Sequence, residues 1–322
     1  MIFFYYLLLF LVSIVALGWA GARLVRNFVV IAEYLHLREF IVGFFVMAVA
    51  ASLPNFFVDL SAALKGVPQL AFGDTVGSNI VDFTLVMAIA VFFSRNGIGA
   101  GSRMVQGSAI FTSVIALLPL VLVLDGKMSR FDGIILISGF IIYSIWLFAK
   151  EARFKKIYSE SKIKNIRGPR MFLWIIIKTL FFLAILLIAS QGIIKCAEFF
   201  SSSLMVSVSL VGLLIVGLGN CFPEIYFSIV SARKNENWLI LGDIMGAIIV
   251  VATLNLGIVT LISPFTITDL SPFYVAMVFT IISSVASLFI IRSGKIISKK
   301  EAVILLSIYL AFLFSVIFIR VV

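Results

Sequence analysis

The stretch GDTVGSNIVDFTL at residues 73–85 returns 169 positions later as GDIMGAIIVVATL at residues 242–254. The same offset places Pro54 on Pro223 without a gap in between. Each copy combines a proline, a Gly-Asp-x-x-Gly run and acidic residues with otherwise apolar sequence. The duplication predicts two structurally equivalent halves, each of which places polar groups in an apolar environment.

The composition is that of a membrane protein. Of 322 residues, 62% are hydrophobic and 12% are charged, and the mean hydropathy is +1.21. A helix needs about 20 mostly apolar residues to cross a bilayer, whereas barrel strands are shorter and alternate in polarity. Ten runs have helical length and no such alternation: Phe3–Ala20, Phe40–Leu64, Leu70–Phe93, Val105–Leu124, Gly133–Ala149, Met171–Ile194, Leu204–Ala232, Trp238–Ile262, Phe273–Ile291 and Ala302–Ile319.

The predicted fold is an all-α integral membrane protein with ten transmembrane helices, of which the second and seventh are broken by proline. Five helices form each half, and because five is odd the second half enters the membrane upside down. The halves are therefore two inverted five-helix repeats. We predict a first repeat at residues 1–150, a basic loop at 151–170 and a second repeat at 171–322.

The basic residues are distributed unevenly between the two sides of these helices. Of 25 Lys and Arg, 19 lie at the junctions after helices 1, 3, 5, 7 and 9, five lie on the opposite side and one lies within helix 6. The positive-inside rule then predicts a cell-membrane protein with both termini outside and the loop at 150–170 in the cytoplasm. That loop could bind anionic lipid or simply fix the orientation. This distribution explains the net charge of +10 without a nucleic-acid partner.

The two prolines within the apolar spans change the backbone chemistry there. A proline has no N–H and clashes with the carbonyl four residues back, so Pro54 frees the carbonyl of Ala50 and Pro223 frees that of Gly219. In lipid an unpaired carbonyl costs several kcal/mol. A plain kink is one interpretation of a single proline, but a matched pair beside polar residues favours a site for a bound cation.

Polar side chains surround both prolines. Carboxylates inside a membrane are expensive and are typical of an ion or proton site, and mixed carboxylate, amide, hydroxyl and carbonyl oxygens suit hard cations such as Ca²⁺ and Na⁺. Asn55 stacks on Asp59, and Ser78 on Asp82, at helical spacing. The predicted ligands of a transported cation are Glu224, Asp82, Asn55, Ser52, Ser78, Asn220, Asp59, Ala50 and Gly219, with Asp74, Asp243 and Cys221 as further candidates.

Three of these candidates have a simpler interpretation. Asp74 and Asp243 could cap the starts of helices 3 and 8, where an aspartate side chain accepts from free backbone N–H groups. Cys221 could be a small packing residue beside the site. No nucleophile–base set, nucleotide motif or cofactor motif is visible, so we expect no catalytic residue, no cofactor and no enzyme activity.

The repeats resemble those of the cation/Ca²⁺ antiporter superfamily, the sodium/calcium exchangers, in its compact ten-helix prokaryotic form. The family repeats read roughly G-T-S-x-P-E followed by G-N-x-x-G-S-N-I. Here the corresponding stretches are ASLPN at residues 51–55 with GDTVGSNI at 73–80, and NCFPE at 220–224 with GDIMGAI at 242–248.

The resemblance implies alternating access, with Ca²⁺ exchanged for Na⁺ or another monovalent cation. The central acidic pair of the family corresponds to Asn55 and Glu224, so one of the two carboxylates is missing, and Asp59 is a possible replacement. The third-helix ligands correspond to Ser78 and Asp82. Their counterparts in the second copy, Ala247 and Val251, cannot bind an ion through their side chains. These departures imply altered stoichiometry or selectivity.

Three functions remain open from the sequence. The first is a cation antiporter with Ca²⁺ as the divalent ion, and the second is a carrier of another cation or of H⁺ on the same scaffold. The third is a transport-inactive membrane interaction protein. Several carboxylates facing the interior would favour the first two, whereas a solitary Glu224 beside Asn55 would favour the third.

Overall fold

The computed structural model describes residues 2–34, 47–151, 169–234, 237–267 and 271–321. Within these ranges nine helices are long and apolar enough to cross a membrane, and Leu53–Leu64 is a shorter apolar helix. The shorter helix belongs to the predicted second span, of which residues 35–46 lie outside the described part. The expected all-α membrane fold with ten helices is confirmed, while the basic loop falls almost entirely at 152–168, outside the described residues.

The first repeat contributes five helices, of which α2 is in two pieces. They are α1 Ile2–Tyr34, α2a Met47–Ala51, α2b Leu53–Leu64, α3 Pro68–Phe93, α4 Arg103–Leu122 and α5 Arg130–Glu151. The strands β1 Ile98–Gly99 and β2 Lys127–Met128 precede and follow α4.

The second repeat contributes the other five helices, of which α7 is in two pieces. They are α6 Pro169–Leu204, α7a at residues 208–220, α7b Phe222–Arg233, α8 at residues 237–262, α9 Ser271–Ser293 and α10 Lys299–Val321. The strands β3 Phe265–Thr266 and β4 Ile296–Ile297 precede and follow α9.

The breaks in the second and seventh helices are equivalent. The first helix turns at Ser52 and the second at Cys221, positions that correspond at the offset of 169. Pro54 and Pro223 each occupy the first turn of the helix piece that follows. Proline is tolerated there because the first N–H groups of a helix have no intrahelical acceptor. The predicted proline-broken helices are confirmed.

The third and eighth helices each widen into a π-helical segment, at Asp82–Val86 and Val250–Asn255. Within each segment a threonine hydroxyl donates to the carbonyl four residues back, from Thr84 to Ile80 and from Thr253 to Ile249. Single π turns within α-helices are frequent at functional sites because they redirect side chains. The two repeats therefore share this local distortion as well as their sequence.

Two predicted helix ends are wrong by more than two turns. The first helix continues from Ala20 to Tyr34, and the sixth continues from Ile194 to Leu204. At 1.5 Å per residue both are about 50 Å long, which exceeds the hydrocarbon core of about 30 Å. Hydropathy marks only the apolar part of a helix, and nothing in the polar part breaks these two.

The predicted start of the seventh helix at Leu204 is also wrong, because that residue still belongs to α6. Met205 then adopts a left-handed backbone conformation with φ of 53°, which ends the helix. The next helix begins at Val208, where the hydroxyl of Ser207 accepts from the N–H of Leu210. A serine N-cap satisfies one of the free N–H groups at a helix start.

Two short antiparallel ribbons join the repeats. Strand β1 pairs with β4, and β2 pairs with β3. Because β1 precedes α4 and β2 follows it, the two ribbons lie at opposite ends of that helix. Each ribbon requires a loop of the first repeat and a loop of the second to lie on the same face, as the ten-helix topology predicts.

The repeat helices lie inside and the others outside. In the most apolar 18-residue stretch of each helix, 78% of the residues are buried in α3 and 83% in α8. The corresponding share is 22% in α1, α5 and α6. Large apolar side chains on the outer helices face outward, as expected of surfaces in contact with lipid. The polar sequence motifs therefore occupy the centre of the bundle.

Candidate cation site

Glycines bring the third and seventh helices into backbone contact. A Cβ atom added at Gly73 or Gly77 would collide with the carbonyl oxygen of Ser209 or Leu213. On the facing helix, a Cβ atom at Gly217 would lie 2.8 Å from the backbone nitrogen of Ser78. Small residues permit such close approach between membrane helices. The polar groups that flank these glycines are consequently held side by side.

Five acidic side chains are buried in this centre. Their exposed fractions are 0% for Asp59, 0% for Asp74, 3% for Asp82, 2% for Glu224 and 6% for Asp243. In the described part of the chain no Lys, Arg or His is buried with them. An ionised carboxylate in such an interior costs several kcal/mol without a partner of opposite charge. The cluster therefore requires protons or metal cations for neutralisation.

One group of these residues connects α2b, α3 and the end of α7a. The Nδ2 atom of Asn220 donates to Oδ2 of Asp74 at 2.8 Å. Asp59 and Asp74 are neighbouring buried acids whose charges act on each other. Neither oxygen of Asp59 has a donor, and Oδ1 of Asp74 lacks one too. Ionised carboxylates only accept hydrogen bonds, so these two neighbouring buried acids need a proton or a cation for neutralisation.

A second group lies around the break of the seventh helix. The thiol of Cys221 donates to the carbonyl of Ser78 at 3.7 Å and also contacts the carboxyl group of Asp82. The charges of Asp82, Asp243 and Asp74 all act on Glu224. Oε2 of Glu224 and Oδ1 of Asp82 have no donor. Cys221 therefore contacts a site residue directly.

The remaining predicted ligands are also buried. Ser52 donates to the carbonyl of Ala48 at 2.9 Å, and Ser78 donates to that of Thr75 at 3.2 Å. These bonds use the hydroxyl protons and leave oxygen lone pairs free for a cation. Oδ1 of Asn55 has no donor.

The two carbonyls that the prolines were expected to free differ. The carbonyl of Ala50 lacks an N–H partner at Pro54, as the chemistry of proline requires. The carbonyl of Gly219, by contrast, is approached by the backbone N–H of Cys221. That N–H lies only two residues along the chain and does not replace the bond that the missing N–H of Pro223 would have made, so the role of both carbonyls as ligands stays a prediction.

The interpretation of Asp74 and Asp243 as helix caps is wrong. The third helix begins at Pro68 and its N-cap is Val67, while the eighth helix begins at Asn237. Both aspartates therefore lie about two turns inside their helices, where no free backbone N–H remains. They belong to the buried acidic cluster instead.

Other buried polar atoms were not predicted as ligands. Thr75 Oγ1, Ser228 Oγ and both side-chain polar atoms of Asn79 have no hydrogen-bond partner. Thr75 and Asn79 fall inside the repeated Gly-Asp motif, and Ser228 occupies the position equivalent to Asp59. The repeat offset was the signal that pointed to these positions.

The cluster is not a preformed metal cage. Among the described residues no three His, Cys, Asp or Glu side chains converge to hold a metal ion. A cation would need one or two carboxylates together with amide, hydroxyl and backbone oxygens. Such mixed oxygen sites are characteristic of hard cations, and their incomplete protein shell is compatible with release of the ion.

A bundle of inverted repeats whose broken inner helices carry buried acids defines a membrane carrier for cations. The chain belongs to the sodium/calcium exchanger protein family, whose sequence profile matches residues 5–149 and 174–318. Members of this family are transporters. The resemblance drawn from the repeat motifs is thereby confirmed.

Individual relatives cover nearly the whole chain. The putative antiporter CaxA of Alkalimonas amylolytica is 27% identical over 313 residues, which cover 94% of this chain and 95% of that protein. The sodium/calcium exchanger MaX1 of Methanosarcina acetivorans is 23% identical over 350 residues, which cover 95% of this chain and 97% of that protein.

Solved structures share the fold. The sodium-calcium exchanger NCX_Mj, soaked with Na⁺ and Sr²⁺, superposes with a TM-score of 0.66 at 20% identity and covers 97% of this chain and 99% of that one. The H⁺/Ca²⁺ exchanger CAX superposes with a TM-score of 0.77 at 17% identity and covers 96% and 82%. Both similarities concern the architecture alone.

Proposed function

We propose that this protein is a secondary-active antiporter that exchanges a divalent cation, Ca²⁺, for Na⁺ or another monovalent cation by alternating access. The observation that carries the proposal is the set of five buried acids, contributed by both repeats, with no buried base among the described residues. A structural core has no use for uncompensated acids. Exchangeable cations supply the missing positive charge.

Glu224 is the principal ligand in this proposal. It lies in the first turn of α7b next to the break, is 2% exposed and keeps one oxygen without a donor. Asp82 is one of the buried acids whose charge acts on it. Asn55, Ser52, Ser78, Asn220 and the carbonyls of Ala50 and Gly219 complete the oxygen shell, and Asp243 lies beside it. Cys221 lines the site without a ligand role.

The relatives support both the reaction class and the ion. MaX1 is a sodium/calcium exchanger, and CaxA is a putative antiporter. In the membrane we propose the orientation given by the basic residues, with both termini outside. Inorganic cations and the lipid bilayer are then the partners, and the cations bind as cargo without a resident cofactor.

Proton coupling is a second candidate for the monovalent partner. The burial of Asp59 and Asp74 as neighbouring acids favours it, because a proton on one of them would remove one of two buried charges. A transport-inactive role is disfavoured by the same count of acids, since a solitary Glu224 was the pattern expected of an inactive scaffold.

Flux in proteoliposomes tests the proposal. We expect the parent protein to transport ⁴⁵Ca²⁺ in exchange for Na⁺, K⁺ or H⁺ when a gradient of that ion is imposed. The ion whose gradient drives Ca²⁺ transport is the coupling ion. Glu224→Gln keeps the shape and removes the charge, so we expect Ca²⁺ flux to fall by at least about a hundredfold, since a charged ligand is lost from a desolvated site. As a control for folding, the purified variant should elute at the same volume as the parent in size-exclusion chromatography.

Two results would contradict this function. Glu224→Gln transporting Ca²⁺ like the parent would exclude Glu224 as the principal ligand. A parent protein that moves no divalent cation under any of the three gradients would favour the inactive scaffold.

A further inference from the structure

One basic residue lies within a membrane-spanning stretch and has no part in the cation site. Lys178 is on α6, inside the apolar run Met171–Ile194, and its side chain is exposed on the outer surface of the bundle. Its ammonium group lies 5.5 Å from the centre of the Trp174 ring. A charged side chain in a span is costly and indicates a functional site with a partner of its own.

The helix that packs beside Lys178 is α1. Three aromatic pairs join α1 to α6 along the bundle: Phe10 with Phe200, Trp19 with Phe182, and Tyr34 with Phe172. The residue number falls along α6 as it rises along α1. The two helices are therefore antiparallel neighbours over most of their length, and positions on one can be matched to positions on the other.

A second cation lies at the level of Lys178. Trp19 and Phe182 pack edge to face with their ring centres 5.2 Å apart. Arg23 lies four residues after Trp19, and Lys178 lies four residues before Phe182. Because the helices are antiparallel and residues four apart share a face, both cations lie one turn from this contact in the same direction. Arg23 is also exposed, and its guanidinium carbon lies 5.5 Å from the centre of the Trp19 ring.

Neither helix places an acid near these two charges. The single acid of α1, Glu33, is ten residues beyond Arg23, and the single acid of α6, Glu198, is twenty residues beyond Lys178. At 1.5 Å per residue these separations are about 15 and 30 Å along the helix axis. The aromatic rings attract the cations without cancelling their charge. Two like charges at one level repel each other, so an anion bound between them would stabilise both.

An apolar groove begins at the same place. Trp19 forms one end of a cavity of about 460 Å³ on the outer face of α1, and its other lining residues are Leu11, Val12, Val15 and Ala16. The large side chains of this lining are about half exposed or more, and the small Ala16 leaves the space between them. The groove extends from Trp19 away from Arg23 over about 12 Å of helix. It is apolar along this length, and the charges lie only at its Trp19 end.

We propose that Arg23, Lys178 and this groove bind one anionic phospholipid. The phosphate lies between the guanidinium and ammonium groups, which bind it through charge-assisted hydrogen bonds, and one acyl chain occupies the groove. Long basic side chains reach the headgroup level from within a span, and tryptophan is common at that level. In the orientation proposed above, the site faces the cytoplasmic leaflet. A soluble phosphate would match the charges but leave the groove uncovered, so the lipid is the ligand that fits both parts.

Native mass spectrometry of the purified full-length protein in detergent tests the site. Phosphatidylglycerol and phosphatidylcholine with identical acyl chains are titrated separately, and the populations of the lipid-free and singly bound protein give the dissociation constant of the first lipid. Each basic residue near an anionic lipid contributes about a fivefold gain in affinity. We therefore expect the parent to bind phosphatidylglycerol about thirtyfold more tightly than phosphatidylcholine. The double variant Arg23→Gln/Lys178→Gln should lose this preference, and each single variant should lose about fivefold, which keeps the test valid if the double variant does not fold.

Two further variants separate a specific site from general attraction. Arg103→Gln/Lys299→Gln removes two exposed basic residues that are not part of the groove and should keep the parent's preference. Ala16→Leu fills the groove without changing the charge. Loss of contact with about two methylene groups corresponds to about tenfold weaker binding, and we expect this loss for both lipids.

Three results would overturn the lipid site. Equal affinity of the parent for the two lipids would show that no anion is recognised. A loss of preference in the Arg103→Gln/Lys299→Gln control as large as that in the site variant would assign the effect to overall charge. Unchanged lipid binding by Ala16→Leu would show that the acyl chain lies elsewhere. The measurement involves no ion transport, so its outcome is independent of the proposed exchange function.

Discussion

The cation site is not symmetric, because equivalent positions of the two repeats carry different residues. Asn55 and Glu224 occupy equivalent positions after the two breaks, and both are 2% exposed. Replacing a carboxylate by an amide keeps an oxygen ligand and removes a full charge. The central site is thus less negative than a pair of glutamates would make it, while Asp59 adds a charge one turn along the same helix.

The charge at position 55 should control the affinity for the divalent ion. Asn55→Glu adds a carboxylate at the position equivalent to Glu224, so we expect Ca²⁺ to bind about tenfold more tightly, the effect of one charge-assisted contact. Isothermal titration calorimetry of the purified protein measures this. Asn55→Gln, which changes size without charge, is the matched control and should show no gain. Unchanged or weaker binding by the glutamate variant would show that position 55 does not face the ion.

At the scale of elements, the breaks in the second and seventh helices depend on close packing through glycines, which lets neighbouring helices cover them. The breaks at Ser52 and Cys221 expose backbone groups in the membrane interior, and the surrounding helices must exclude lipid from them. The first helix does so directly: a Cβ atom at its Gly18 would lie 3.5 Å from Cγ of Pro223, and one at Gly21 would lie 2.7 Å from Cγ of Pro54. The first helix therefore covers both breaks, and the third and seventh helices touch through glycine.

The glycine contact between α3 and α7a should not tolerate a methyl group. Gly77→Ala drives Cβ into the carbonyl of Leu213, and we expect a loss of about 1–3 kcal/mol of stability, the usual cost of overpacking. The thermal unfolding midpoint of the purified protein reports it. Gly139→Ala is the matched control, because its Cβ would lie 3.7 Å from both Leu118 and Thr253, and it should retain the parent midpoint. A parent-like midpoint for Gly77→Ala would refute the backbone contact.

At the scale of the whole molecule, the ribbons and the charge distribution describe one topology. Strand β1 pairs with β4 at one end of α4, and β2 pairs with β3 at the other. Each pair joins loops that the positive-inside rule assigns to the same side. The inner repeat helices then cross the bilayer in opposite directions, which is what an exchanger needs to present one site to either side.

Cysteine labelling checks this orientation. The native Cys196 and Cys221 are both buried and can be replaced by serine or alanine to give a background without thiols. In sealed cells we expect a membrane-impermeant maleimide to label Lys127→Cys from outside and Lys299→Cys only after permeabilisation. Both positions are exposed, so access depends on sidedness alone. Reversed labelling would overturn the proposed orientation.

Much of the fold follows from the sequence because the bilayer imposes simple rules. Apolar length gives the helices, the offset between Pro54 and Pro223 gives the repeat, and proline chemistry gives the breaks at the right places. The ends of α1 and α6 were not predictable in this way, because a helix continues beyond the hydrocarbon wherever nothing stops it. The cap interpretation of Asp74 and Asp243 failed because their helices begin well before the acids, at Pro68 and Asn237.

By itself the sequence determined which residues carry charge into the membrane and that two inverted halves carry them. Only the tertiary structure decided which of those charges meet. Asp74 and Asn220 lie on the third and seventh helices, whose relative position along the bundle is set by glycine contacts such as those of Gly73 and Gly77, and Asp59 lies on a third helix, α2b. Sequence spacing fixes which residues share a helix face, but a shift of one helical turn along a neighbour, about 5.4 Å, would separate the group. Packing between helices, which no local pattern encodes, selects one such alignment.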